Sequence, residues 1–168
     1  AAWSRPAPPS IEQLRAGEPA GAVKFERNLD GGTSFSAYLV SYLSSGLNVY
    51  AFVAVPRSAM PERGYPVLIA NHGTHPNPPR YGITVAGVDS RPGDYYRAVP
   101  ELYAAQGFMV VMPDYRGHNI SAGGEYAHGF LAANYYAADV LALSTTEVDL
   151  SKIDPLTGNT IARLDHCA

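Results

Sequence analysis

Two short stretches, Val67-Leu68-Ile69-Ala70 and Phe108-Met109-Val110-Val111-Met112, are apolar without alternation, and Pro or Gly bounds each of them. A strand with one wet face alternates in polarity. An unbroken apolar run of this length suits a strand covered on both faces, as in a parallel sheet. Between the two, Asp94 to Gln106 carries Tyr95, Val99, Leu102 and Tyr103 at three- and four-residue steps, with Gly107 placed as a C-cap. Strand, loop, helix, strand is a βαβ crossover. The chain is thereby held to the α/β class, with helices laid against a sheet.

The flanking segments fit that frame. Phe35, Ala37, Leu39, Ser41 and Leu43 alternate with Ser36, Tyr38, Val40 and Tyr42, and Ser44-Ser45-Gly46 leads into a second run from Leu47 to Val55 closed by Pro56. Two such runs around a short Gly-containing loop predict an antiparallel hairpin. A further helix is expected from about Phe130 to Ser144, and Asn159 to Leu164 has the look of a fifth strand. Residues 1–32 open rich in Pro and Gly. They form a lead-in whose one helical signal is Ser10-Ile11-Glu12-Gln13-Leu14-Arg15, with Ser10 as N-cap and Gln13 completing a capping box. Residues 33–168 then make up a single domain.

Charge and composition exclude several classes of partner. The formal net charge is -3, and no basic cluster interleaves with aromatic residues, so neither nucleic acid nor an anionic membrane surface is an expected partner. With 16 Gly and 14 Pro in 168 residues the chain is rich in turns and is no helical bundle. No apolar run approaches the roughly 18 residues of a membrane span. The single cysteine, Cys167, rules out an internal disulfide and a cysteine-based zinc site. An N-terminus of Ala1-Ala2-Trp3-Ser4, without Met, reads as processed and leans towards a secreted or periplasmic protein.

In a parallel α/β sheet, chemistry sits outside the carboxyl ends of the strands. Two such ends are marked here: Asn71-His72-Gly73-Thr74-His75-Pro76, and Pro113-Asp114-Tyr115-Arg116-Gly117-His118-Asn119-Ile120-Ser121-Ala122-Gly123. Strand-His-Gly-x followed by strand-Pro-Asp-Tyr-Arg-Gly-His-x-x-Ser-x-Gly resembles the α/β-hydrolase superfamily, in its prolyl-oligopeptidase and dienelactone-hydrolase-like branch. The stretch Gly129 to Leu143 is similar to the helix that follows in that branch. The resemblance spans Phe35 to Leu143 and covers the N-terminal half of such a domain.

The resemblance implies an antiparallel entry, a mostly parallel sheet with flanking helices, and an end to the chain near the fifth strand. It also implies hydrolysis of an ester or amide bond through an acyl-enzyme, with a small ester or peptide as substrate and no cofactor. One oxyanion donor would come from the loop after the third strand: Gly73 permits close backbone approach and Thr74 supplies the N–H. His72, Tyr115 and Arg116 would be neighbours of the site, Arg116 pairing with a carboxylate or carbonyl. The family's nucleophile elbow falls at the end of the chain, so Cys167 takes the nucleophile position and the Ala168 N–H that of the second donor.

Asp165 stands where the elbow's first glycine belongs, and the family's catalytic acid and histidine would lie beyond residue 168. The alternative is therefore a truncated, non-catalytic fragment or binding module that needs a partner chain to complete a site. Either way a sheet edge is left open, which predicts a homo-oligomer or a complementing chain. His72 and His75 form an H-x-x-H pair, but Pro76, Pro78 and Pro79 exclude the helix that zinc-protease spacing needs, so no metal is expected. His72 reads instead as a loop-shaping residue whose ring bonds backbone. His118 and His128 read as solvated loop histidines, and the tyrosine pairs Tyr95-Tyr96 and Tyr135-Tyr136 as packing residues.

Overall fold

The computed structural model describes residues 9–16, 23–73, 98–127 and 132–145. Within them lie strands β1 (Lys24–Leu29), β2 (Phe35–Ser44), β3 (Leu47–Pro56), β4 (Val67–Ile69) and β5 (Met109–Pro113). The helices are α1 (Ile11–Ala16), α2 (Ala98–Ala104) and α3 (Ala132–Thr145), and a 3₁₀ turn covers Gly124–Tyr126. The five strands form one sheet in the order β1-β2-β3-β5-β4.

The expected hairpin is its backbone. β2 and β3 pair from Phe35 opposite Pro56 to Ser44 opposite Leu47. Only Ser45 and Gly46 turn the chain, both at positive φ (49° and 74°), the pattern of a type I′ turn, whose twist suits the flanking strands. β5 then pairs with β3 antiparallel, and β4 pairs with β5 parallel, Ile69 opposite Val111. Among the described residues β4–β5 is the one parallel pair, so the sheet is mixed where a mostly parallel one was expected. The hairpin and its neighbours contribute most of these pairings, and the expected strand Asn159–Leu164 lies outside the described residues.

Both faces of the sheet are covered, which is why β4 and β5 read as unbroken apolar runs. On one face Phe35, Ala37, Ala54, Val110 and Met112 pack with Val99 and Ala104 of α2. On the other, Tyr38, Val40, Tyr42, Val49, Val53, Met109 and Val111 pack with Ala142 and Leu143 of α3. The result is a three-layer α/β/α arrangement. Each fully buried Val, Leu or Met side chain contributes roughly 1.5–3 kcal/mol, so the central strands dominate the stability.

The helix ends follow their local chemistry. Ser10 Oγ accepts from the Gln13 N–H (3.2 Å) and Gln13 Oε1 accepts from the Ser10 N–H (2.7 Å), a closed capping box on α1. After α2, Gly107 (φ 86°) donates to Ala104 O and Phe108 N–H donates to Tyr103 O, which together form a Schellman cap. The described part of the lead-in holds one element that its composition concealed, the outer strand β1, antiparallel to β2.

Candidate functional site

β4 and β5 run side by side in the same direction, so the two marked loops leave the sheet at the same end. The loop after β5 is the better built. Every residue from Asp114 to His118 is buried. Asp114 N–H donates to Tyr50 O, Ala122 N–H to Asn48 O, and Tyr50 N–H to Ser121 Oγ at 3.0 Å. The loop is thus sewn onto the start of β3. Gly117 (φ 74°) makes the reversal and donates to Ala122 O at 2.8 Å.

Arg116 does not reach solvent. Its Nη2 lies 2.8 Å from Asp139 Oδ1 on α3, with the side chains 4% and 0% exposed. Nε donates to the same carboxylate at 3.0 Å, Nη2 also donates to Ser44 Oγ at 3.1 Å, and the Arg116 backbone N–H donates to Asp139 Oδ2 at 2.8 Å. The guanidinium carbon sits over the rings of Tyr126 and Tyr135, at 5.4 and 5.9 Å. A fork held by two carboxylate oxygens, with its remaining face on aromatic rings, is a structural clamp between loop and helix.

Tyr115 is the hinge of the site. It takes a left-handed backbone conformation, φ 59°, sparsely populated by bulky residues. Its ring stacks on Tyr136 (4.8 Å, 9°) and lies 4.2 Å from the His72 ring. His118 stands edge-on to the group, 5.1 Å from His72 and 5.3 Å from Tyr136. The Tyr115 hydroxyl accepts from the His72 N–H at 3.1 Å and donates to His72 O at 3.2 Å. His72 in turn bonds Gly73 O through Nδ1 at 2.8 Å, which requires the proton on Nδ1. A Cβ built on Gly73 would meet no described atom within 4 Å.

The sequence-derived residues therefore divide. His72, Gly73, Tyr115 and Arg116 are brought together at one end of the sheet. Thr74, Cys167 and Ala168 lie outside the described residues, as do His75 and His128. His118 is corrected: it is fully buried in the aromatic cluster, not a solvated loop residue, because Tyr136 and His72 close over it. Asn119 is likewise engaged, its Nδ2 donating to Asp114 Oδ2 at 3.2 Å. Sequence reasoning missed Asp139 and Tyr136, although a signal existed. Ala132, Tyr135, Tyr136, Asp139 and Leu143 follow three- and four-residue steps, which puts a lone carboxylate on the buried stripe of α3.

Burial pushes the Tyr42 phenol well above the ordinary tyrosine value, helped by the negative charges of Asp139 and Asp114 and opposed by Arg116. The folded chain holds this proton more tightly than the unfolded one. The associated stability is complete below about pH 10 and falls as pH rises beyond it. The Tyr42 hydroxyl is buried with no hydrogen-bond partner among the described residues. Tyr42→Phe is accordingly expected to stabilise the chain by about 1 kcal/mol near neutral pH and to flatten the alkaline loss. Urea denaturation at pH 7 and about pH 10.5 checks both, and an unchanged alkaline loss would assign it to another group.

Comparison of the chain with protein-family models, with curated proteins and with solved structures returns no match.

Proposed function

We propose that the chain carries the N-terminal part of an α/β-hydrolase domain and hydrolyses ester or amide bonds of small substrates through an acyl-enzyme. The observation that carries this reading is the joining of two loops at the carboxyl end of adjacent parallel strands, through the Tyr115 hydroxyl and the His72 backbone. That is where α/β sheets bind and transform ligands. A glycine at position 73, where an added Cβ would meet no described atom within 4 Å, beside a rigid, buried scaffold also suits the loop from which such enzymes aim an oxyanion donor.

In this reading the Cys167 sulfur attacks the substrate carbonyl and the Thr74 and Ala168 N–H groups hold the oxyanion. The tetrahedral species collapses to a thioester as the alcohol or amine leaves with a proton. Water then splits the thioester, releasing the acid and restoring the thiol. Turnover of a short-chain p-nitrophenyl ester by the 168-residue chain tests it, run beside Cys167→Ala. Turnover that Cys167→Ala abolishes is the expected result. Turnover that survives in the variant removes Cys167 from the nucleophile role. No turnover by either favours a scaffold completed by a second chain, whose sheet edge would supply the docking surface.

A further inference from the structure

We infer that Tyr115 is a positioning residue: its hydroxyl fixes the peptide planes on both sides of His72 and so sets the direction in which the chain leaves His72 for Gly73 and Thr74, whose N–H is the donor of the proposed site. The role assigned to that direction rests on the acyl-transfer reading, whereas the clamp itself does not. A phenolic oxygen offers one donor and an acceptor capacity. Here the acceptor is used on the His72 N–H and the donor on the His72 carbonyl, at 3.1 and 3.2 Å. Those two groups belong to successive peptide planes, one shared with Asn71 and one with Gly73. In a trans peptide the carbonyl and the following N–H point in opposite directions, and no cis bond occurs among the described residues. Anchoring the His72 carbonyl on Tyr115 therefore turns the Gly73 N–H away from Tyr115.

The anchor is itself braced. A tyrosine at φ 59° persists only where its surroundings over-determine it, and such outliers concentrate at functional sites. The bracing comes from the Tyr136 stack on one side of the ring, the His72 ring 4.2 Å away, and the Arg116 N–H tied to Asp139 immediately downstream. Helix α3 thus sets the position of Tyr115, and Tyr115 sets the loop after β4.

Tyr115→Phe keeps the ring and its stacks and removes only the hydroxyl. Amide hydrogen exchange, read by NMR on the 168-residue chain, is expected to quicken five- to tenfold at His72. Exchange in Met109–Pro113 and at Arg116 should stay unchanged. Tyr136→Phe, which leaves the clamp intact, should leave His72 exchange as it is. A His72 change under twofold in Tyr115→Phe overturns the clamp. For p-nitrophenyl acetate, kcat is expected to fall at least tenfold with KM within twofold, the pattern of an interaction used in the transition state. Unchanged kcat beside altered exchange would overturn the catalytic role. Altered exchange in a chain that turns nothing over would sustain the clamp and reject the hydrolase reading alone.

Discussion

Asp139→Ala is expected to lower the unfolding free energy by about 3–5 kcal/mol, the cost of leaving one partner of a buried ion pair alone. Such a loss is a large part of the roughly 5–15 kcal/mol that holds a typical domain together. The figure follows from what Asp139 satisfies. It accepts from Arg116 Nε and Nη2 and from the Arg116 backbone N–H, at 2.8 to 3.0 Å. Without it the guanidinium stays buried with Ser44 Oγ and two ring faces for company. Asp139→Asn keeps the shape and an acceptor but brings an NH2 group to a cation, so it should fall between. Arg116→Met combined with Asp139→Leu should recover most of the loss, since an apolar pair of similar volume replaces a buried ion pair at little cost. Urea denaturation of the three variants measures the set. A loss under about 1 kcal/mol for Asp139→Ala would mean that water reaches the guanidinium.

Gly117→Ala is expected to cost about 2–4 kcal/mol, and the comparison with Gly107→Ala separates its two causes. Both glycines have positive φ, 74° and 86°, where an alanine is strained by roughly 1 kcal/mol. At Gly107 a new Cβ meets no described atom within 4 Å, so strain is the expected effect. At Gly117 the Cβ would fall 2.5 Å from Ala127 Cβ and 2.8 Å from Gly123 O, which forces the loop apart and adds about 1–3 kcal/mol of overpacking. Thermal unfolding of the two variants should show Gly117→Ala the more damaged by a clear margin. Equal shifts would place the loop's rigidity elsewhere.

The parts of the fold that local chemistry determines were legible in the sequence. The hairpin announced itself through period-two alternation and Ser45-Gly46, the central strands through unbroken apolar runs, and the ends of α1 and α2 through their capping residues. β1 did not, for a physical reason. Its register shifts between Phe25 and Arg27, and a bulge reverses the parity of a strand. Phe25 accordingly packs with Tyr38 and Val40, while Leu29 packs on the opposite face with Phe35 and Ala37. No simple alternation survives.

The site was legible as two loops but not as a cluster. Asp139 lies 23 residues from Arg116, and no local pattern announces a pairing that only the packing of α3 on the sheet brings about. The same holds for His118. A histidine among glycines reads as solvated until Tyr136, from the same helix, is set beside it. The Tyr115 backbone was equally invisible, since a tyrosine at positive φ has no sequence signature; its neighbours impose it.

Whether an acyl-enzyme forms is read from the intact mass of the 168-residue chain, quenched with acid while it is exposed to p-nitrophenyl acetate. The expected result is a population heavier by one acetyl group, carried on the peptide that contains Cys167 and missing from Cys167→Ala. A mass that never changes, with p-nitrophenol released no faster than in buffer, would contradict it.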